Sequence, residues 1–280
     1  MAIELVTKYQ PYVDELFTTE SKTALLTNQD FDFQGAKTVK IYKVGVAAMN
    51  DYGRNADLSG GLSRYGVPTD LEAATELFTL AKDRSFTFVV DRLDEDETAG
   101  ALNAASALAR QLRQVVIPEI DTHVLGKIMA GAGIKPTAVE LTSANIYTEI
   151  IKGTNAMDNA EVPEDGRVLI ITPDTYLLMK QCRDIILDTE TGEDMRIRGV
   201  IANLDGMTVL RVPAARLPVG FGFAIVHPCA TVGVEKLAEY QTHTNPPGIS
   251  GDLVEGRVVY DAFVLENKNK AIYYQAAQSA

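Results

Sequence analysis

The sequence predicts an α+β protein with an N-terminal arm, an extended β-hairpin loop, a long spine helix, an alternating α/β region and a closing strand. Three observations carry that expectation. Two β-branched stretches flank a glycine-rich stretch without any period, one helical apolar repeat runs unusually long, and the segments beyond it switch between helical and strand patterns. With 280 residues, the chain suffices for one large domain or two moderate ones with a real core.

Met1 to Gln34 shows little sustained periodicity and reads as an extended arm, with a helical turn or two around Tyr9 to Phe17. Phe17, Leu25, Leu26, Phe31 and Phe33 need a surface to lie against, and a neighbouring subunit would supply one. Thr38 to Val46, TVKIYKVGV, is a strand by its β-branched, roughly alternating pattern. Glu76 to Asp91 is the matching return, with Phe86, Phe88 and Val90 on one face. Between them, Asn50 to Asp70 holds Gly53, Gly60, Gly61, Gly66 and Pro68 and follows neither period. So long a structureless stretch signals function or disorder, and here it reads as the tip of a projecting hairpin.

The spine helix is expected over Thr98 to Ala130, roughly 50 Å at the helical rise. Asp94, Glu95, Asp96 and Glu97 supply negative charge for its N-terminal end. Leu102, Ala105, Leu108, Leu112 and Val115 follow at spacings of three and four. Pro118 should bend the helix before Ile120, Val124, Leu125 and Ile128 resume the period, and Gly131 and Gly133 end it.

From Val139 to Thr244 the pattern is that of a compact α/β domain. A helix is expected from about Ser143 to Met157, and Arg167 to Ile171 reads as a buried strand. Thr172 then caps a helix opened by Pro173. Val200 to Leu204 and Met207 to Val212 flank Asp205-Gly206, a strong two-residue hairpin signal, and Phe221 to Val226 is another strand. Asn245-Pro246-Pro247-Gly248 reads as a rigid linker. Beyond it Glu255 to Glu266 forms a long strand, which Asn267 to Lys270 turns into Ala271 to Gln275.

Composition narrows the function. Net charge is -12, the opposite of a generic nucleic-acid binder, which relies on neutralising phosphates. No apolar run approaches the ~18 residues of a membrane span, and Met1 to Asp30 lacks a signal-peptide core, so a cytoplasmic setting is expected. Cys182 and Cys229 are not at metal-ligand spacing and are expected to be buried free thiols.

The sequence carries no phosphate-binding glycine loop, no dinucleotide fingerprint, no HExxH and no GxSxG. His123 and Glu119 stand at i,i+4 on the spine helix, which suits a metal, but with no third ligand a helix-surface pair is expected. His227, before Pro228 at a strand end, and His243, in a short polar strand, read as structural. The run Asp94 to Glu97 reads as a helix start and not a cation site, because adjacent helical carboxylates point in different directions. No catalytic residue, cofactor or metal is expected. An α/β enzyme built on Cys182, His227 and acidic residues is the remote alternative.

The order of these elements resembles the tailed-bacteriophage major capsid proteins, the Hong Kong ninety-seven phage fold. Two stretches carry the likeness. FTFVVDRLDEDETAGALNAASALARQLRQVVIPEIDTHVLGKI, Phe86 to Ile128, is similar to the hairpin return and spine helix of capsid proteins from phages of Gram-positive bacteria. EYQTHTNPPGISGDLVEGRVVYDAFVLENKNKAIYY, Glu239 to Tyr274, is similar to their exit from the axial domain and their closing peripheral strand.

The resemblance implies an N-terminal arm over 1–34, an extended loop over 35–91, a peripheral domain over 92–135 and 246–280, and an axial domain over 136–245. It implies self-assembly through pentamers and hexamers into an icosahedral head shell around double-stranded DNA, without sequence-specific binding. The expected product is a virion component made in the bacterial host cytoplasm, with a portal protein as a further partner and no membrane. A shell of the same fold around an enzyme, an encapsulin-type nanocompartment, is the alternative.

Some relatives weld the shell through a loop lysine. Here no lysine lies between Val44 and Ala81, so that cross-link is not expected. Arg54 and Arg64 offer forked donors instead, and Asp94, Glu95 and Glu97 of a neighbouring subunit are the carboxylates to expect opposite them. Some relatives also begin with a fused scaffolding segment. This sequence reaches the arm directly from Met1, so a separate scaffolding protein is expected.

Overall fold

A computed structural model describes residues 21–28, 38–44, 46–54, 63–65, 70, 73–98, 103–182, 185 and 203–278. They fall into two compact units, Phe33–Leu80 and the remainder of the chain. The helical turns expected around Tyr9 to Phe17 lie outside the described residues.

The smaller unit is a ribbon. β1 (Thr38–Val44) and β2 (Ala73–Thr79) pair antiparallel, from Thr38 opposite Thr79 to Val44 opposite Ala73. Val39 and Lys43 share one face with Ala74, Glu76 and Phe78, since alternate residues of paired strands face the same side. On that face Lys43 reaches Glu76 diagonally, at 3.3 Å. The Thr38 and Thr79 hydroxyls meet at 3.0 Å on the other.

The return strand expected as one piece over Glu76 to Asp91 is two. β2 ends at Thr79, and β3 (Lys82–Asp91) belongs to a different sheet and to the larger compact unit. The Ala81 N–H at the break goes to the Asp261 carboxylate, 2.8 Å away, and not to a strand partner.

In the larger unit β3, β9 (Gly251–Val264) and β8 (Thr231–Thr244) form an antiparallel sheet in the order β3-β9-β8. The stretch Asn245-Pro246-Pro247-Gly248, expected as a linker, is instead the turn between β8 and β9. Asn245 (φ 49°) and Gly248 (φ 88°) take left-handed conformations there, and the Asn245 N–H closes the turn on Gly251 O at 2.8 Å. Prolines stop a ladder in a turn as they do in a linker, so composition does not separate the two. His243 accordingly sits in a 14-residue strand, not a short one. Gly251, at φ 148°, admits no side chain: a Cβ would stand 2.2 Å from Val90 O.

The spine is also segmented. The acidic run forms its own short helix α1 (Arg92–Glu97), capped by the Asp91 carboxylate accepting from the Leu93 N–H at 2.9 Å. Thr98 closes α1, and the long helix starts at α2 (Ala104–Gln111), capped by Asn103; the expected start at Thr98 is therefore corrected. A π-helical turn, Leu112–Val116, joins α2 to α3 (Ile117–Ala130). There the Ile117 N–H reaches back to Leu112 O, and the widened turn lies directly before Pro118, which lacks an N–H and would crowd the preceding turn. Thus the proline expected to bend the helix is matched by a π turn.

The second sheet is five-stranded, in the order β10 (Ile272–Ala276), β7 (Phe221–Val226), β4 (Val168–Ile171), β6 (Met207–Arg211) and β5 (Asn203–Leu204), with β4 parallel to β6 and the other pairs antiparallel. β5 (Asn203–Leu204) turns into β6 through Asp205 (φ 51°) and Gly206 (φ 72°), the two positive φ values that the dipeptide signalled. β4 is buried throughout, and its side chains alternate between two cores. Val168 and Ile170 join Leu125, Ile128 and Met129 of α3. Leu169 and Ile171 join Ile146, Ile150 and Met157 of α4 (Ile146–Asp158) and Tyr176 and Met179 of α5 (Pro173–Gln181). β7 (Phe221–Val226) divides its side chains in the same way. The sheet is thus the middle layer between the spine and a helix pair.

β10 (Ile272–Ala276) pairs with β7, and β8 pairs with β9. Sheet pairing therefore crosses the boundary expected between residues 245 and 246.

Candidate assembly surfaces

The expected loop-tip cations are brought together. The Gly53 N–H donates to Arg64 O at 2.9 Å, which brings the backbone at Arg54 beside that at Arg64, and both residues are exposed. Tyr52 and Tyr65 meet edge to face with centroids 5.1 Å apart, and Asn50 Nδ2 donates to Tyr65 O at 3.4 Å. These contacts shape the tip yet leave its apolar groups in water: Met49 is 99% exposed, Val46 95% and Tyr65 78%. Leu77 of β2 is exposed as well.

The expected acidic partners lie in the larger unit. Asp94 and Glu97 are exposed on α1; Glu95 is half-buried and accepts from Asn103 Nδ2 at 3.2 Å. One turn of helix spreads these carboxylates around its axis, and among the described residues no group of three or more His, Cys, Asp or Glu could hold a metal ion. Val219, between β6 and β7, is a further exposed apolar group, fully in water.

The histidines have structural duties. His123 turns away from Glu119 and donates from Nε2 to Asp261 Oδ1 at 2.8 Å, packing edge to face on Tyr260. Glu119 instead accepts from Arg84 Nε at 2.7 Å and from the Tyr260 hydroxyl at 3.3 Å. The i,i+4 pair is thus two separate tethers between α3 and the three-stranded sheet. The Tyr260 phenol is pushed up to about 12, first by burial and then by the Glu119 charge and hydrogen bond.

His227 accepts the Cys229 N–H on Nδ1 at 3.1 Å and donates from Nε2 to Asp165 O at 2.9 Å, which uses both ring nitrogens. Cys182 is buried with Met179 and Ile185 in the α4–α5 core. Cys229, expected to be buried, is half-exposed, and its thiol is pushed up by desolvation. The residues proposed for an enzyme site are therefore occupied in separate places.

Sequence reasoning missed Asp121. It interrupts the apolar face of α3 between Ile120 and Val124, and that misfit was the available signal. Its carboxylate is fully buried and accepts from Ser21, Lys22, Thr23 and Arg216.

This architecture is that of tailed-phage shell subunits, the Hong Kong ninety-seven phage fold. A solved structure from Mycobacterium phage Che8 superposes with a TM-score of 0.76, covering 98% of this chain and 96% of that one at 18% identity. The capsid structure of the cyanophage P-SCSP1u matches 98% of this chain and 93% of its own, with TM-score 0.77 and 14% identity. The mature capsid of bacteriophage PhiM1 matches 99% and 93%, with TM-score 0.77 and 13% identity. No curated protein matches the sequence. A family model described as phage capsid protein matches residues 72–274, and the chain belongs to that family. It is a major capsid protein, a virion component that self-assembles into the head shell.

Proposed function

We propose that the chain assembles through pentamers and hexamers into an icosahedral shell around double-stranded DNA, in a bacterial host cytoplasm. The observation that carries this reading is the exposed apolar surface of the ribbon unit at Val46, Met49, Tyr52, Tyr65 and Leu77. Burying a large apolar side chain is worth about 1.5–3 kcal/mol, and one copy of the chain forgoes most of that gain at Val46, Met49 and Tyr65 and part of it at Tyr52 and Leu77. Each ribbon would recover it on a neighbouring subunit.

In this reading residues 1–34 are the arm and the ribbon is the extended loop. The peripheral domain comprises the spine and the three-stranded sheet, and the axial domain is built on the five-stranded sheet, so the division follows the sheets and not residues 136–245 against 246–280. Arg54 and Arg64 of one subunit face Asp94, Glu95 and Glu97 of the next. Exposed pairs of this kind contribute on the order of 0–1 kcal/mol each, so they set register more than strength. The net charge of -12 keeps the inner wall from gripping DNA. A separate scaffolding protein directs closure, and a portal protein occupies one vertex.

Negative-stain electron microscopy with light scattering on the purified chain tests this. Closed shells, tubes or rings of five and six copies support it. A strictly small species, persisting after a scaffolding protein is supplied, overturns it.

A further inference from the structure

We infer that Asp121 is a latch that holds the root of the N-terminal arm, Ser21 to Asn28, on the body. Its carboxylate is enclosed on the buried face of α3 and receives four donors. Ser21 Oγ (2.8 Å) and Thr23 Oγ1 (3.1 Å) donate to Oδ1. The Lys22 N–H (3.1 Å) and Arg216 Nη1 (2.7 Å) donate to Oδ2. Three of these donors come from consecutive arm residues. The fourth comes from a 3-10 turn, Ala214–Arg216, between β6 and β7. One carboxylate therefore joins the arm, the spine and the α/β region.

The arm root is held again a few residues on. Leu26 is buried in the core beside Val124 and Leu125 of α3, and Thr231 Oγ1 donates to its carbonyl. Asn28 then adds to β8 as a short parallel bridge, donating to Thr231 O at 2.8 Å and accepting from the Gly233 N–H at 3.2 Å. A surface strap would be expected to hold by its ladder and its apolar side chain alone. Here a buried charge is added, and its cost makes release difficult: lifting Ser21 to Thr23 removes three of the four donors and leaves the buried carboxylate with Arg216 alone. Asp121 is thus a positioning residue. Its consequence for assembly rests on the proposal above that the arm reaches a neighbouring subunit.

The test is hydrogen exchange of the full, unassembled chain, comparing wild type, Asp121→Asn, and Ser21→Ala combined with Thr23→Val. Peptides spanning residues 22–28 are expected to exchange roughly 10- to 100-fold faster in both variants, while β4 and β7 keep wild-type protection. The double variant leaves the Asp121–Arg216 pair in place, so it reports even where Asp121→Asn does not fold. Unchanged exchange over 22–28 in the double variant overturns the latch, as does an equal loss across β4 and β7. Shells of the double variant should spread over several diameters by electron microscopy; one wild-type diameter alongside fast exchange at 22–28 overturns the assembly role. Exchange is read before assembly, so wild-type chains that form no shells would count against the shell reading alone.

Discussion

The ribbon unit and the body solve the problem of apolar burial in opposite ways. In the body, β4 and β7 send alternate side chains into two cores, one lined by α3 and the other by α4 and α5. In the ribbon, two seven-residue strands hold their register through Lys43, Glu76 and a threonine pair, while the tip leaves Val46 and Met49 in water. A lone two-stranded ribbon is marginal in water. The body is stabilised from within, whereas in the proposed reading the ribbon would draw its stability from assembly, by the mass-action coupling of folding to binding.

That contrast has measurable consequences. Phe223→Ala, which empties the centre of the α4–α5 core, should cost about 3–5 kcal/mol in denaturant unfolding of the unassembled chain. Met49→Ser with Val46→Ser should leave that unfolding curve in place and yet lower the melting temperature of shells; an equal drop in the free chain would show the tip to be part of a subunit core. Gly251→Ala should cost about 3 kcal/mol, because it meets Val90 O and must also adopt φ 148°.

A pH effect also belongs to the body. The Tyr260 phenol ionises near 10 when unfolded and at about 12 in the folded chain, so the folded state retains a proton that the unfolded state has lost. Its contribution to stability is complete below pH 10 and disappears as pH rises through 12. Tyr260→Phe should flatten part of that alkaline decline in thermal unfolding; an unchanged slope would assign the decline to the other tyrosines.

The smallest effect is expected from Arg54→Glu with Arg64→Glu. Subunit stability should not change, and shells should come apart at lower denaturant by on the order of 1 kcal/mol per contact, less so in high salt. Shells of normal resistance would remove these arginines from the interface.

Legibility in the sequence followed the range of the interaction. The Thr172–Pro173 helix start, the Asp205-Gly206 turn and the buried strands β4 and β7 were readable because each depends on neighbours along the chain. Arg54 and Arg64 were readable as exposed cations, but their nearness was not, since the Gly53–Arg64 bond that brings them together joins residues eleven apart in sequence. Asp121 and Asp261 were not identified at all. An aspartate in an apolar helical face or a strand carries no local mark of donors that arrive from Ser21 or Ala81, about a hundred residues away or more.

From residue order alone came the α+β class, the strand at Thr38, the helical character of the spine and the long strand near the C-terminal end, because hydrophobic period and turn chemistry act within a few residues. Left to the folded chain were the choices among partners. The break at Leu80–Ala81 follows from an amide captured by Asp261. The Asn245–Gly248 turn follows from the pairing of β8 with β9 over their whole length. The fully buried charge of Asp121 is tolerated because Arg216 and the arm converge on it. Pairing, burial and charge neutralisation are decided between segments distant in sequence, where the local pattern is silent and the competition for water, donors and space is settled by the whole fold.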